Sequence, residues 1–167
     1  MALKRLIPVV LIKNGLLVRS QLFKYHQAIG DPIPTIKRLS DWNSDEIILL
    51  NIGDSTNIDS RRDDKYHNLG EMRFKELVNQ SSKFCFCPIT IGGGLKTLED
   101  IDDMFKAGAD KVTLNSMCFK NPEIVVKAVA KYGAQAITAS IDIKRYSNTY
   151  LAWIENGKID TGKNMND

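Results

Sequence analysis

Short runs rich in Ile, Val and Leu recur along the chain at residues 6–12, 46–52, 84–91, Lys111–Leu114 and 136–141, and longer amphipathic stretches separate them. Runs that stay apolar at successive positions suit strands buried on both faces, and such strands belong to parallel sheets covered by crossover helices. The intervening segments Pro32–Asp41, 70–80, Leu98–Ala107 and 122–131 carry apolar residues three or four apart, the spacing of a helix with one buried face. Punctuation agrees with the periodicity. Thr97 stands ahead of Leu98 with Asp100 in the first turn, and Gly108 occupies a C-cap position. Pro122 follows Asn121 as a first-turn proline, and Gly133 closes the last helix.

Two architectures suit alternating strands and helices: an open doubly wound sheet and a (β/α)₈ barrel. The first prefers a glycine-rich turn directly after the first strand. Here Asn14-Gly15 reads instead as a two-residue hairpin turn between Ile12 and residues 16–19, and the glycines cluster after the third strand. The expected fold is therefore α/β, a TIM-barrel-type chain. A full barrel takes about 250 residues, so 167 residues cover about the first five βα units, a single partial barrel over residues 1–167. Thr149–Ile154 alternates and is followed by Glu155-Asn156-Gly157-Lys158, which predicts a second hairpin.

Composition closes off several functions. The chain is 43% hydrophobic and 26% charged, with a net charge of +3 and no basic tract, so neither disorder nor nucleic-acid binding is expected. Its apolar runs fall far short of the roughly 20 residues that span a bilayer, and polar Lys13-Asn14-Gly15 stands where a signal peptide would be cleaved. Three cysteines make no disulfide framework, and the cytoplasm is the expected compartment. Cys85 and Cys87 alternate on a strand and should share a face as buried, inert thiols. His26 and His67 lie in polar, loop-like sequence without ligand spacing, so no metal or cofactor is expected. The long polar segment 54–68 reads as a lid or a solvated insertion.

Chemistry in such a fold gathers at the carboxyl ends of the strands. The third strand runs into Gly92-Gly93-Gly94, whose bare N–H groups can approach an anion closely. The fourth ends in Asn115-Ser116, so donors from adjacent loops can converge on a phosphate. The fifth ends near Asp142, the best-placed candidate for general acid or base, with an ion pair to Lys144 or Arg145 as the structural alternative. The first and second strands carry Leu11 and Asn51, neither of which titrates near neutrality.

The order of Lys4-Arg5-Leu6-Ile7-Pro8, Lys13-Asn14-Gly15, Gly30-Asp31-Pro32, Gly92-Gly93-Gly94, Gly108-Ala109-Asp110-Lys111-Val112, Asn115-Ser116, Asn121-Pro122 and Ile141-Asp142-Ile143-Lys144-Arg145 resembles the HisF family, the cyclase subunit of imidazole glycerol phosphate synthase. The resemblance runs from about Leu3 to Arg145. It implies a (β/α)₈ barrel that receives ammonia through its interior from a glutamine amidotransferase (HisH-like) partner and uses it on a phosphorylated small molecule.

Carried over by position, Gly93, Gly94, Asn115 and Ser116 match the family's first phosphate site, Arg19 stands in place of a substrate-contacting lysine, and Asp142 matches the second catalytic aspartate. Arg5, Glu46 and Lys111 match members of the charged ring that gates ammonia, and Thr90 matches a hydroxyl lining the passage. The departures are Leu11, where the family has its first catalytic aspartate, and Asn51, where it has another carboxylate. A leucine cannot carry a proton. That change, with the Leu-Ile-Lys-Asn-Gly run from Leu11 to Gly15, resembles the paralogous branch associated with amidation of surface-polysaccharide sugars. A true histidine-pathway cyclase and a non-catalytic half-barrel that docks and stimulates a glutaminase are the alternatives.

Overall fold

Lys13 and Leu16 face each other across Asn14-Gly15, whose φ angles of 50° and 76° are the paired positive values a two-residue hairpin turn requires. A computed structural model describes residues 4–22, 24–53 and 74–165. The 54–68 segment, His67 and the first residues of the helix expected over 70–80 lie outside them. The elements run β1 (Val9–Lys13), β2 (Leu16–Gln21), β3 (Tyr25–Gly30), α1 (Pro32–Asp41), β4 (Ile47–Asn51), α2 (Phe74–Ser82), β5 (Ile89–Gly92), α3 (Leu98–Ala107) and β6 (Lys111–Leu114). They continue with α4 (Ser116–Lys120), α5 (Pro122–Tyr132), a 3₁₀ turn (Ala134–Ala136), β7 (Ile137–Ala139), β8 (Asp142–Tyr146), β9 (Thr149–Ile154) and β10 (Ile159–Asn164).

Strand order decides between the two architectures. The main sheet runs β3-β2-β1-β4-β5-β6-β7, and β1, β4, β5, β6 and β7 are parallel neighbours in chain order. A doubly wound sheet reverses direction at a switch point. A sheet that adds each new parallel strand on the same side is the beginning of a barrel. Helices α1, α2, α3 and α5 follow one another across one face, and the main core lies between them and the sheet. Val10 and Ile12, Ile47 and Leu49, Ile89 and Ile91, and Val112 and Leu114 fill it from the strands; Ile36, Leu77, Val78, Ile101, Met104 and Ala128 fill it from the helices. By the two-residue period, Leu11, Lys13, Thr90 and Lys111 point to the other face, the one a barrel would enclose.

Several expected boundaries move, each because backbone donors are engaged elsewhere. The strand expected over 84–91 begins only at Ile89: Phe84 and Cys85 donate back to the Ser81 carbonyl, Phe86 donates to Ser40 Oγ at 2.9 Å, and Pro88 has no N–H. The first strand starts at Val9 rather than Leu6, because Leu6 N–H is taken by Asp45 Oδ2 at 2.6 Å. The fifth expected strand loses Ala136 to the 3₁₀ turn and stops at Ala139. Asp142 therefore opens β8, the first strand of a separate antiparallel sheet ordered β10-β9-β8, where the sequence reading saw a strand end and a later hairpin. The β9–β10 hairpin over 155–158 forms as expected. His26, expected in an exposed loop, sits on β3 opposite Ser20 and is 8% exposed.

Helix ends follow their capping residues. Thr97 Oγ1 accepts from Asp100 N while Asp100 Oδ2 accepts from Thr97 N, a reciprocal capping box, and Gly108 closes α3 at φ 108°. Among the described residues no helix is long and apolar enough to cross a membrane.

Candidate functional site

At the amino-terminal end of the parallel strands one carboxylate collects three polar neighbours. Glu46 immediately precedes β4, Thr90 is the second residue of β5, and Lys111 opens β6 directly opposite Thr90. Parallel pairing thus brings these three side chains together, and Arg5 reaches in from the segment ahead of β1. Lys111 Nζ donates to Glu46 Oε2 at 2.7 Å, Thr90 Oγ1 donates to Glu46 Oε1, and Arg5 Nη1 stands 3.9 Å from Oε2. Glu46 is buried and Thr90 nearly inaccessible, while the Arg5 side chain is 61% exposed at the rim. Burial alone would raise the Glu46 carboxyl; the hydrogen bonds from Lys111 and Thr90 and the charges of Lys111 and Arg5 outweigh it and hold the group below the usual carboxylate range. The result is a charged plug whose cation and anion bond to each other beneath a solvent-facing guanidinium.

At the opposite end, Gly92 pairs with Thr113, so the Gly93-Gly94 turn and Asn115-Ser116 leave neighbouring strands side by side. Gly93 has φ 88° and packs flush on β4: a Cβ there would stand 2.0 Å from the Asn51 carbonyl oxygen. Gly94, at φ 73°, faces open space, which is the bare backbone an anion needs. The Asn115 side chain caps no helical N–H and accepts from Ser116 Oγ at 3.2 Å. Ser116 is engaged a second time, because its hydroxyl accepts from Glu155 N in the β9–β10 turn and Lys120 pairs with the Glu155 carboxylate. The turn therefore rests against these donors.

Asp142 is half-buried at the start of β8, opposite Trp153, three residues past the end of β7. The ion pairs weighed for it do not form: Lys144 Nζ donates to the Gly157 carbonyl and lies 3.6 Å from the centre of the Trp153 ring, and Arg145 Nε donates to the Ser147 carbonyl. Arg19 is exposed on β2, with β1 and β4 between it and β5, so the sheet does not place it beside Gly94. Asn51 serves its own turn, accepting from Gly53 N at 3.1 Å.

The sequence reading missed two residues. Lys13 ends β1 on the same face as Leu11 and is fully buried, and burial pushes its ammonium down. His26 lies close enough for its imidazole to be pushed down by burial first and by Lys13 second; its Nδ1 and the nearby Ser20 Oγ are buried without a partner. Period-two alternation from Leu11 would have placed Lys13 inside, but nothing in the sequence around His26 announced a third antiparallel strand.

The family model described as histidine biosynthesis protein matches residues 5–167. The chain belongs to the histidine biosynthesis protein family. Its relatives in that family include an imidazole glycerol phosphate synthase subunit HisF of Campylobacter concisus, 35% identical over 160 residues, which are 96% of this chain and 59% of the relative. A protein of Campylobacter jejuni named "Putative imidazole glycerol phosphate synthase subunit hisF2" is 38% identical over 149 residues, 89% of this chain and 55% of that one. One of the same name from Vibrio vulnificus is 38% identical over 146 residues, 87% and 49%. The chain thus spans about half to three-fifths of the length of the HisF and hisF2 proteins it matches.

Proposed function

We propose that this chain is part of a HisF-like subunit that takes ammonia from a glutamine amidotransferase at the amino-terminal end of its strands and delivers it to a phosphorylated substrate at the carboxyl-terminal end. The observation that carries the reading is the Glu46 cluster. A carboxylate buried under Lys111 and Arg5, with Thr90 beside it on the face a barrel would enclose, would close that end of a complete barrel and open if one lysine side chain swung away. Neutral ammonia passes such a gate without the desolvation cost that a charged ion would meet. Around the gate, Leu6, Trp42 and Phe86 are 72%, 72% and 90% exposed, apolar surface of the kind a partner subunit covers.

At the other end Gly93, Gly94 and Asn115-Ser116 would hold the phosphate, Arg19 would contact substrate from β2, and Asp142 would move the proton. Leu11 on the enclosed face of β1 removes the partner carboxylate that paired acid–base chemistry needs, and this favours the sugar-amidating branch over the histidine-pathway cyclase. The relatives named hisF2 add support to a divergent branch.

The test is turnover of the cyclase substrate with ammonium salts, alongside glutamine-dependent turnover with the glutaminase bound. Cyclase rates at least about 100-fold below those of an ordinary HisF subunit are expected, from the loss of one member of an acid–base pair. Comparable rates would return the protein to the histidine pathway. Lys111→Ala should lower glutamine-dependent transfer while leaving glutamine hydrolysis intact; if the two fall together, the cluster is not a gate.

A further inference from the structure

A cavity of about 300 Å³ opens between the end of α2, the approach to β5 and the Gly108 cap, lined by Ser82, Cys85, Phe86, Cys87, Ile89 and Gly108 among others. Phe86 turns outward, and the flanking Cys85 and Cys87 return to one side with their sulfurs 3.6 Å apart. Both thiols were expected to be buried; both are half-buried and pack at the margin of the core. The backbone around them is pinned. Cys85 N donates to Ser81 O at 3.0 Å, Phe86 N to Ser40 Oγ at 2.9 Å, and Pro88 O accepts from Ile47 N at 2.9 Å, so the fold itself sets the two sulfurs side by side. A disulfide needs them about 1.5 Å closer.

We propose that Cys85 and Cys87 form a redox modification site, a dithiol that a small disulfide entering this cavity converts into an intramolecular bridge. The Cys85 thiolate attacks one sulfur of the incoming disulfide, forming a mixed disulfide and releasing one thiol, which carries away the proton. The Cys87 thiolate then attacks Cys85 Sγ, the bond to the small thiol breaks, and a second small thiol leaves with the Cys87 proton. The protein loses two electrons and two protons, and the small disulfide is reduced to two thiols. The 3.6 Å spacing lets one sulfur reach the other once its neighbour is capped; burial first, and the hydrogen bond with Cys85 second, push the Cys87 thiol up to about 11. The site shares no side chain with the Glu46 cluster or the glycine-rich mouth; Phe86 at its rim also belongs to the surface proposed for the glutaminase, so the dithiol is to be tested in the uncomplexed chain.

The experiment exposes the reduced chain to oxidised glutathione, and in parallel to uncharged hydroxyethyl disulfide, then alkylates remaining thiols and weighs the intact chain and its peptides. The expected product has lost two hydrogens, carries no adduct, and has Cys85 and Cys87 both protected while Cys118, whose Sγ donates to the Leu114 carbonyl at 3.3 Å, is still alkylated. Cys87→Ser should hold at least about tenfold more mixed disulfide on Cys85 than the parent does, because the intramolecular thiol that displaces it is gone. The bridge forming with either reagent supports the proposal. Equal adduct levels in the parent and Cys87→Ser, bridges to Cys118 or between chains, or three fully alkylated thiols after both reagents would each overturn it.

Discussion

Glu46 and His26 give the chain two separate sensitivities to acid, and their signs can be worked out individually. The folded Glu46 carboxyl lies below its ordinary 4.5, so folding favours the charged form; its contribution is complete above 4.5 and drains away as pH falls through the lower folded value. The folded His26 imidazole lies below its ordinary 6.5, so the unfolded chain takes up a proton that the folded chain refuses, and stability declines from about 6.5 downward. Urea midpoints measured across pH should therefore fall in two stages. Glu46→Gln should shrink the lower stage, to which Asp100 with its lowered carboxyl also contributes, and cost about 1–3 kcal/mol at neutral pH, since Lys111 and Thr90 lose a charged acceptor. His26→Phe should flatten the upper stage only. A single transition that neither variant alters would show that the two groups are not held as described.

Among the elements, the β5 turn approaches the end of β4 closely. A Cβ on Gly93 would meet the Asn51 carbonyl oxygen at 2.0 Å and its carbon at 2.7 Å, whereas one on Gly94 would meet nothing within 4 Å. Both glycines have positive φ, so both alanine variants bear the left-handed penalty of about 1–2 kcal/mol, and only Gly93→Ala must also push two strands apart, for about 1–3 kcal/mol more. Thermal or urea unfolding of the two variants should rank them in that order; equal losses would mean the β4–β5 contact yields freely. The same turn shows what the sequence could announce. Three glycines after an apolar run mark a place where backbone must come close, and Thr97-Asp100, Gly108 and Asn14-Gly15 state their cap and turn geometry outright. Strand ends are less legible because they depend on remote partners: Ser40 claims Phe86 N–H from α1, and Asp45 claims Leu6 N–H across 39 positions. The β8 strand and the burial of His26 were silent for the same reason, since pairing with β9 and β2 rather than local pattern decides them. Of the site, the Glu46 cluster was reached through family resemblance, as no periodicity links Arg5, Glu46, Thr90 and Lys111.

For the whole molecule, the parallel strands impose a direction: an ionic end, a glycine-rich end, and helices along one face. If ammonia enters at the ionic end as proposed, the glutaminase must cover Leu6, Trp42 and Phe86, which stand exposed in the segments that lead into β1, β4 and β5. Phe86 is the most informative of the three, because at 90% exposure its ring contributes little to this chain's own packing, while an aromatic anchor at the centre of an interface commonly contributes about 2 kcal/mol or more to binding. Phe86→Asp should thus leave the unfolding midpoint within about 0.5 kcal/mol of the parent. It should weaken glutaminase binding by at least about tenfold, as measured by calorimetry or by the concentration needed to stimulate glutamine hydrolysis. A variant that folds as well as the parent and still binds the glutaminase with parental affinity would place the partner on another face, and with it the entrance for ammonia.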